Sequence, residues 1–180
     1  HSSHRRQRQM CIRDSNQSKL LHMNTVHYIP EILTDIRRQQ SIDDCESLLL
    51  TGQQLSEHFG KGTYPGRQTF SNLHHNDLYD DIFKTMLYNI KKYLKEDLSI
   101  DKAWINWTDG DKQHECWHTH KPAKLSAVYY MTPYNCGTQF QDQFVETELN
   151  SLLVFPSDLL HTAPVSNNRY DRYTMAFDLI

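Results

Sequence analysis

Between residues 76 and 94 apolar side chains recur at helical spacing. Leu78, Ile82, Met86, Ile90 and Leu94 fall on one stripe, flanked by Tyr79, Phe83, Leu87 and Tyr93. Such a stripe predicts an amphipathic helix whose apolar face meets a core, with Asn76 as its expected N-cap. A weaker pattern of Cys45, Leu48, Leu49 and Leu55 predicts an earlier helix capped by Ser41 and ending near Gly60. The stretch "GKGTYPGRQTF" between them, with three glycines and a proline, reads as a loop. It lacks the order of a phosphate-binding P-loop. Beyond Asp97 the period becomes that of strands. "KAWINWT", "KLSAVYYM", "GTQFQDQFVE", "SLLVFP" and "RYTMAFDLI" are short and rich in β-branched and aromatic residues, and turn-forming segments separate them. Helices first and closely spaced strands afterwards predict an α+β domain in which two helices buttress a β-sandwich or barrel.

Composition narrows the picture. The 180 residues, 38% hydrophobic and 11% aromatic, are enough for one domain with a real core. The opening "HSSHRRQRQMCIRDSNQSK" has no hydrophobic period and looks foreign to the fold. Residues 1–22 are therefore expected to be a disordered or artefactual extension, with one domain over 23–180 and Met23 as a plausible start. A net charge of −3 gives no overall attraction to nucleic acid, and none is expected as a partner. No apolar run approaches the roughly 18 residues of a membrane span, so the expected location is soluble and cytoplasmic. Cys11, Cys45, Cys116 and Cys136 show no C-x-x-C spacing and are read as reduced thiols.

Histidine is unusually frequent, with 11 copies. In "WHTHKPAKLSAVYYM", His118 and His120 stand two apart in an extended segment, so both point to one side and can reach one metal ion. By itself an H-x-H pair is weak evidence, because imidazole is also a common core group. Further along, "LLVFPSDLLHTAPV" carries His161 just beyond a strand. In the last strand Arg172, Thr174 and Ala176 share one face, and Tyr173, Met175, Phe177 and Leu179 the other. An arginine on an interior face is costly unless an anion compensates it, and a carboxylate ligand is the natural partner. Exposure near a strand end, or pairing with Asp171 or Asp178, is the competing explanation. Tyr130 shares a face with Ser126 and Val128 and can offer its hydroxyl to the same carboxylate. Gly137 permits a turn into the following strand. His114 is expected to be exposed or a hydrogen-bond partner of a ligand, and His74 and His75 to lie at the surface. Asn106 is a candidate lining residue, between tryptophans that pack the wall.

Taken in order, W-x-N, H-x-H, "LSAVYYM", "GTQF", "LLVFPSDLLHTAPV" and "RYTMAFD" resemble the 2-oxoglutarate- and Fe(II)-dependent oxygenases. The resemblance is to a phage and marine-microbial branch related to prolyl hydroxylases, and covers about residues 100–180. It implies a double-stranded β-helix (a jelly-roll, cupin-like barrel), Fe(II) as metal, 2-oxoglutarate as co-substrate and ascorbate as reductant. It implies His118 and His161 as metal ligands, and Arg172 and Thr174 as partners of the distal co-substrate carboxylate with Tyr130 assisting. The reaction implied is hydroxylation of a C–H bond in a peptide, protein or small molecule, with release of succinate and CO2. The usual ligand set is two histidines and a carboxylate, and here His120 occupies the carboxylate position. Either His120 coordinates directly, or an acid comes from elsewhere, with Asp142 in the following strand as candidate. Ala127 and Asp178 are lesser departures, at positions where glycine and asparagine are common. Two other readings compete: a cupin-like metalloenzyme with a three-histidine centre that does not use 2-oxoglutarate, and a non-catalytic jelly-roll binding module.

Overall fold

A computed structural model describes residues 26–50, 66–108, 117–134, 136–164 and 170–180. Its strands are β1 (His27–Ile29), β2 (Gly66–Gln68), β3 (Ile100–Thr108), β4 (Leu125–Tyr130), β5 (Gly137–Phe140), β6 (Phe144–Glu146), β7 (Leu152–Pro156), β8 (His161–Thr162) and β9 (Arg172–Leu179). Two α-helices, α1 (Asp35–Leu50) and α2 (Asp80–Leu94), precede most of them. The expected extension and the proposed start at Met23 lie outside the described residues. So do Cys11, Cys116 and His114; Cys45 and Cys136 are buried free thiols. Among the described residues no helix is long and apolar enough to cross a membrane.

The strands form two antiparallel sheets, one of six strands in the order β1-β7-β4-β9-β3-β2 and one of three in the order β6-β5-β8. The α+β class expected from the sequence is present. The jelly-roll expectation meets two separate sheets, with no closed hydrogen-bonded barrel among the described residues. Alternation along β9 explains how the large sheet serves two cores. Tyr173, Met175, Phe177 and Leu179 join Ile82, Phe83, Met86 and Ile90 of α2 in the main apolar cluster. On the opposite face, Tyr130, Leu153 and Phe155 of the large sheet pack with Phe140 and Val145 of the small one. Covered on both faces, β9 is buried along its whole length, although its sequence alternates as a half-exposed strand would.

The helices differ from expectation at their starts. Helix α1 begins at Asp35, six residues ahead of Ser41. Thr34 supplies the cap, accepting the Arg37 N–H on its Oγ1 at 3.2 Å. Ser41 is buried inside the helix, where its hydroxyl donates to the Arg38 carbonyl at 2.6 Å. Leu55 and Gly60 lie outside the described residues. Asn76 does act as a cap, accepting from the Leu78 N–H at 3.0 Å, but for a short 3-10 turn (Asp77–Tyr79) that leads into α2. Leu78 is consequently exposed rather than part of the buried stripe, while Ile82, Met86 and Ile90 are fully buried. Each of these contributes about 2 kcal/mol by the area it removes from water. Arg37 ties the helices together through a two-pronged contact with Asp81 at 2.7 and 2.8 Å. The segment read as a loop contains β2, which extends the large sheet beyond β3.

Candidate metal centre

Backbone pairing brings the histidines together. His161 in β8 lies opposite Phe140 of β5 on one side and opposite His118 on the other. The His118 N–H donates to the His161 carbonyl at 3.0 Å, and the His161 N–H returns the bond at 3.1 Å. Two residues on, the His120 N–H donates to the Ser157 carbonyl at 2.7 Å, which keeps the H-x-H segment extended along the end of β7. The period of two then turns both rings the same way. One ligand nitrogen from each of His118, His120 and His161 lies within 4.8 Å of the others, close enough to share one ion. Their ring centroids are 4.5 to 5.1 Å apart.

His161 is buried among Phe155, Phe140 and the other two imidazoles. Its Nδ1 is 2.8 Å from the Leu159 carbonyl oxygen. A carbonyl only accepts, so Nδ1 carries the proton and Nε2 keeps the lone pair. Burial first, and then the neighbouring His118, push its pKa down to about 3, with His120 adding in the same direction against the Leu159 hydrogen bond. The ring is therefore neutral at pH 7, the form that binds a metal. His120 is held differently. Its Nδ1 is 3.0 Å from a carboxylate oxygen of Asp178, and its ring stacks on Trp104 at 5.4 Å and 15°. The alternative acid, Asp142, is exposed in the turn between β5 and β6, not in a strand, and stands outside the histidine cluster.

A cationic corner lies on the β9 face that also carries Asp178, the residue beside His120. Thr174 lies opposite Asn106 of β3 on one side and Tyr130 of β4 on the other, and Asn106 in turn lies opposite Gln68 of β2. Directly opposed residues share a face, so this row and Arg172 look inward from the large sheet. The Arg172 guanidinium is buried, donates to the Gly137 carbonyl at 3.3 Å and sits 5.8 Å from the centre of the Tyr130 ring. Tyr130 shares a 2.7 Å hydrogen bond with Thr138, and burial raises its pKa to about 12, so the phenol stays protonated. Arg172 is thus neither at an exposed strand end nor beside Asp178, which bonds to Ser126 and His120. Asn106 is only partly buried. His75 is exposed and His74 half-buried, their rings 3.9 Å apart and away from the cluster.

Two residues of this region were not singled out as site residues from the sequence. Asp178 was legible in principle, since the alternation that groups Arg172, Thr174 and Ala176 also includes it. Gln68 carried no signal, being part of a segment that reads as a loop. Its side-chain oxygen is buried without a hydrogen-bond partner among the described residues.

No protein-family profile matches the chain, and no curated protein matches it in sequence. Solved structures do. The α-ketoglutarate-dependent non-heme carbocyclase SnoK from nogalamycin biosynthesis matches with a TM-score of 0.72 at 11% identity, over 93% of this chain and 85% of its own. HygX from Streptomyces hygroscopicus, with nickel and 2-oxoglutarate bound, matches at 0.64 and 10% identity, over 86% and 82%. A prolyl hydroxylase from Trichoplax adhaerens, in complex with a hypoxia-inducible-factor peptide, matches at 0.63 and 14%, over 97% and 92%. The fold is that of the 2-oxoglutarate-dependent oxygenases. The oxygenase likeness reaches well beyond residues 100–180, since the match to the prolyl hydroxylase takes in almost the whole chain. At this level of identity it is a likeness of fold, and the chemistry has to be argued from the histidine cluster and the cationic corner.

Proposed function

We propose that the protein is a 2-oxoglutarate- and Fe(II)-dependent dioxygenase that hydroxylates a C–H bond of a peptide, protein or small-molecule substrate. The observation that carries this reading is the convergence of three imidazoles on one point, with a buried guanidinium on the face of the large sheet that packs against the small sheet carrying His161. The donor set fits a divalent transition metal, because imidazole suits iron and His161 offers a neutral ring with a free Nε2. The corner fits a carboxylate. Arg172 supplies a fixed fork of donors, Thr174 adds a hydroxyl on the same face, and the protonated Tyr130 lies beside them. The buried side-chain oxygen of Gln68 on the adjoining row, unpartnered among the described residues, is a further group able to meet a polar ligand.

With dioxygen as the oxidant, iron and 2-oxoglutarate would supply oxidative decarboxylation to succinate and CO2, one oxygen atom going to succinate and the other to the hydroxylated second substrate. The chain's own residues would then do three things. His118, His120 and His161 would hold the metal from one side. Arg172 and Thr174 would bind and orient the co-substrate by its distal carboxylate. Phe140 and Phe155 would keep water from the buried side of His161. Both substrate classes have precedent in the neighbours, one solved with a peptide and one named as a carbocyclase.

A second reading has one observation in its favour. Among the described residues the cluster contains no carboxylate, as in a three-histidine metalloenzyme that does not use 2-oxoglutarate. Purified protein with Fe(II) and ascorbate tests the two: formation of succinate from 2-oxoglutarate supports the oxygenase. Neither turnover nor binding of the co-substrate, with metal retained, moves the assignment to the second reading. Failure to take up any divalent ion favours a non-catalytic binding module.

A further inference from the structure

We propose that Asp178 is a positioning residue of this centre, returning through His120 the negative charge that the H-x-H pattern takes from the ligand set. The inference rests on the metal-centre reading above and concerns a residue outside the histidine cluster. Asp178 is the last inward-facing residue of β9, opposite Ser126 of β4. It is buried, and a buried carboxylate is costly unless paired and hydrogen-bonded. Two donors meet that need: the Ser126 hydroxyl at 3.1 Å and Nδ1 of His120 at 3.0 Å, both to the same carboxylate oxygen.

That contact has consequences for the ring. A carboxylate only accepts, so Nδ1 of His120 carries a proton and Nε2 is the ring nitrogen left to meet a metal ion. The ring plane is fixed from both sides, by Trp104 at 15° and by His161 at 18°. The Asp178 contact and the two stacked rings thus fix the orientation of His120 before any metal arrives, and the anion behind it makes the imidazole a stronger donor. Three neutral imidazoles leave the full charge of a divalent ion uncompensated. A carboxylate one imidazole away lowers the net local charge to that of a site with two histidines and one acid. The charge sits behind the ligand instead of on the metal.

The test uses the full-length protein and Co(II) as probe. Asp178→Asn keeps an acceptor of the same shape for Nδ1–H while removing the charge. It is expected to weaken Co(II) binding by about 10- to 100-fold. In the Co(II) protein, the hyperfine-shifted N–H resonance of His120 is expected to shift and exchange faster in the variant. That of His161, bonded to the Leu159 backbone, should stay unchanged. Ser126→Ala, which loosens the carboxylate without discharging it, should weaken binding a few-fold and serves if Asp178→Asn does not fold. Wild-type uptake of Co(II) with variants that match it in affinity and resonances overturns the role of Asp178 alone. A wild type that binds no Co(II) overturns the metal centre, and this inference with it.

Discussion

Taking the metal-free protein from pH 7 to pH 5 exposes what the burial of His161 costs. In the folded chain its pKa is held at about 3, against an ordinary value of 6.5, chiefly by burial and then by His118. Because the folded-state value is the lower one, the unfolded chain takes up the proton first. The contribution of His161 to stability is therefore complete above pH 6.5, falls away below it, and is gone by about pH 3. Within that window the loss is about 1.4 kcal/mol per pH unit. At pH 5 this one ring should have removed roughly 2 kcal/mol, a sizeable part of the stability of a small domain. The control is His161→Gln, which does not titrate and whose amide can still donate to the Leu159 carbonyl. Urea unfolding with a chelator present, at both pH values and fixed ionic strength, should show wild type losing about 2 kcal/mol more than the variant. Equal losses in the two proteins would refute the reasoning, since they would mean that the ring is solvated or already paired as a cation.

Other outcomes follow from the same geometry. Arg172→Gln should leave metal affinity unchanged and weaken 2-oxoglutarate about 30-fold or more, the equivalent of about 2 kcal/mol for a lost charge-assisted pair. Calorimetry on Mn(II)-loaded protein checks it, and unaltered co-substrate affinity counts against the carboxylate corner. Gly137→Ala should cost about 1–3 kcal/mol in urea unfolding, because a Cβ there would lie 2.6 Å from the Val145 carbonyl oxygen and against the Phe144 ring. The same change shifts the carbonyl that accepts from Arg172, so co-substrate affinity should fall with stability. Asp142→Asn should retain metal at the wild-type level, since this acid is exposed and outside the cluster. Loss of metal in that variant would identify it as the third ligand.

Much of this protein could be read from the order of its residues. The stripe through Ile82, Met86 and Ile90 required a helix with one buried face, and that face is the one α2 packs against the large sheet. The alternation in "RYTMAFDL" required Arg172, Thr174 and Ala176 to share a face, because successive side chains of a strand point to opposite sides. The i, i+2 spacing likewise set His118 and His120 together. These are local consequences of backbone geometry, which is why a linear pattern carries them. Errors arose where two local signals competed, as at the start of α1, where Thr34 and Ser41 are both able caps and only the packing of Ser41 inside the helix distinguishes them.

What sequence order left open depends on contacts between distant segments. Alternation in β9 said that one face was polar, and such a face usually meets water. Here a second sheet covers it, and burial turns a surface arginine and a surface aspartate into a cationic corner and a carboxylate behind a ring. The meeting of His118 with His161 includes a reciprocal pair of backbone hydrogen bonds between segments far apart in the chain. Nothing in the composition of either segment specifies that register. The docking of β8 between β5 and the H-x-H segment sets it, and with it the distance on which any shared metal ion depends.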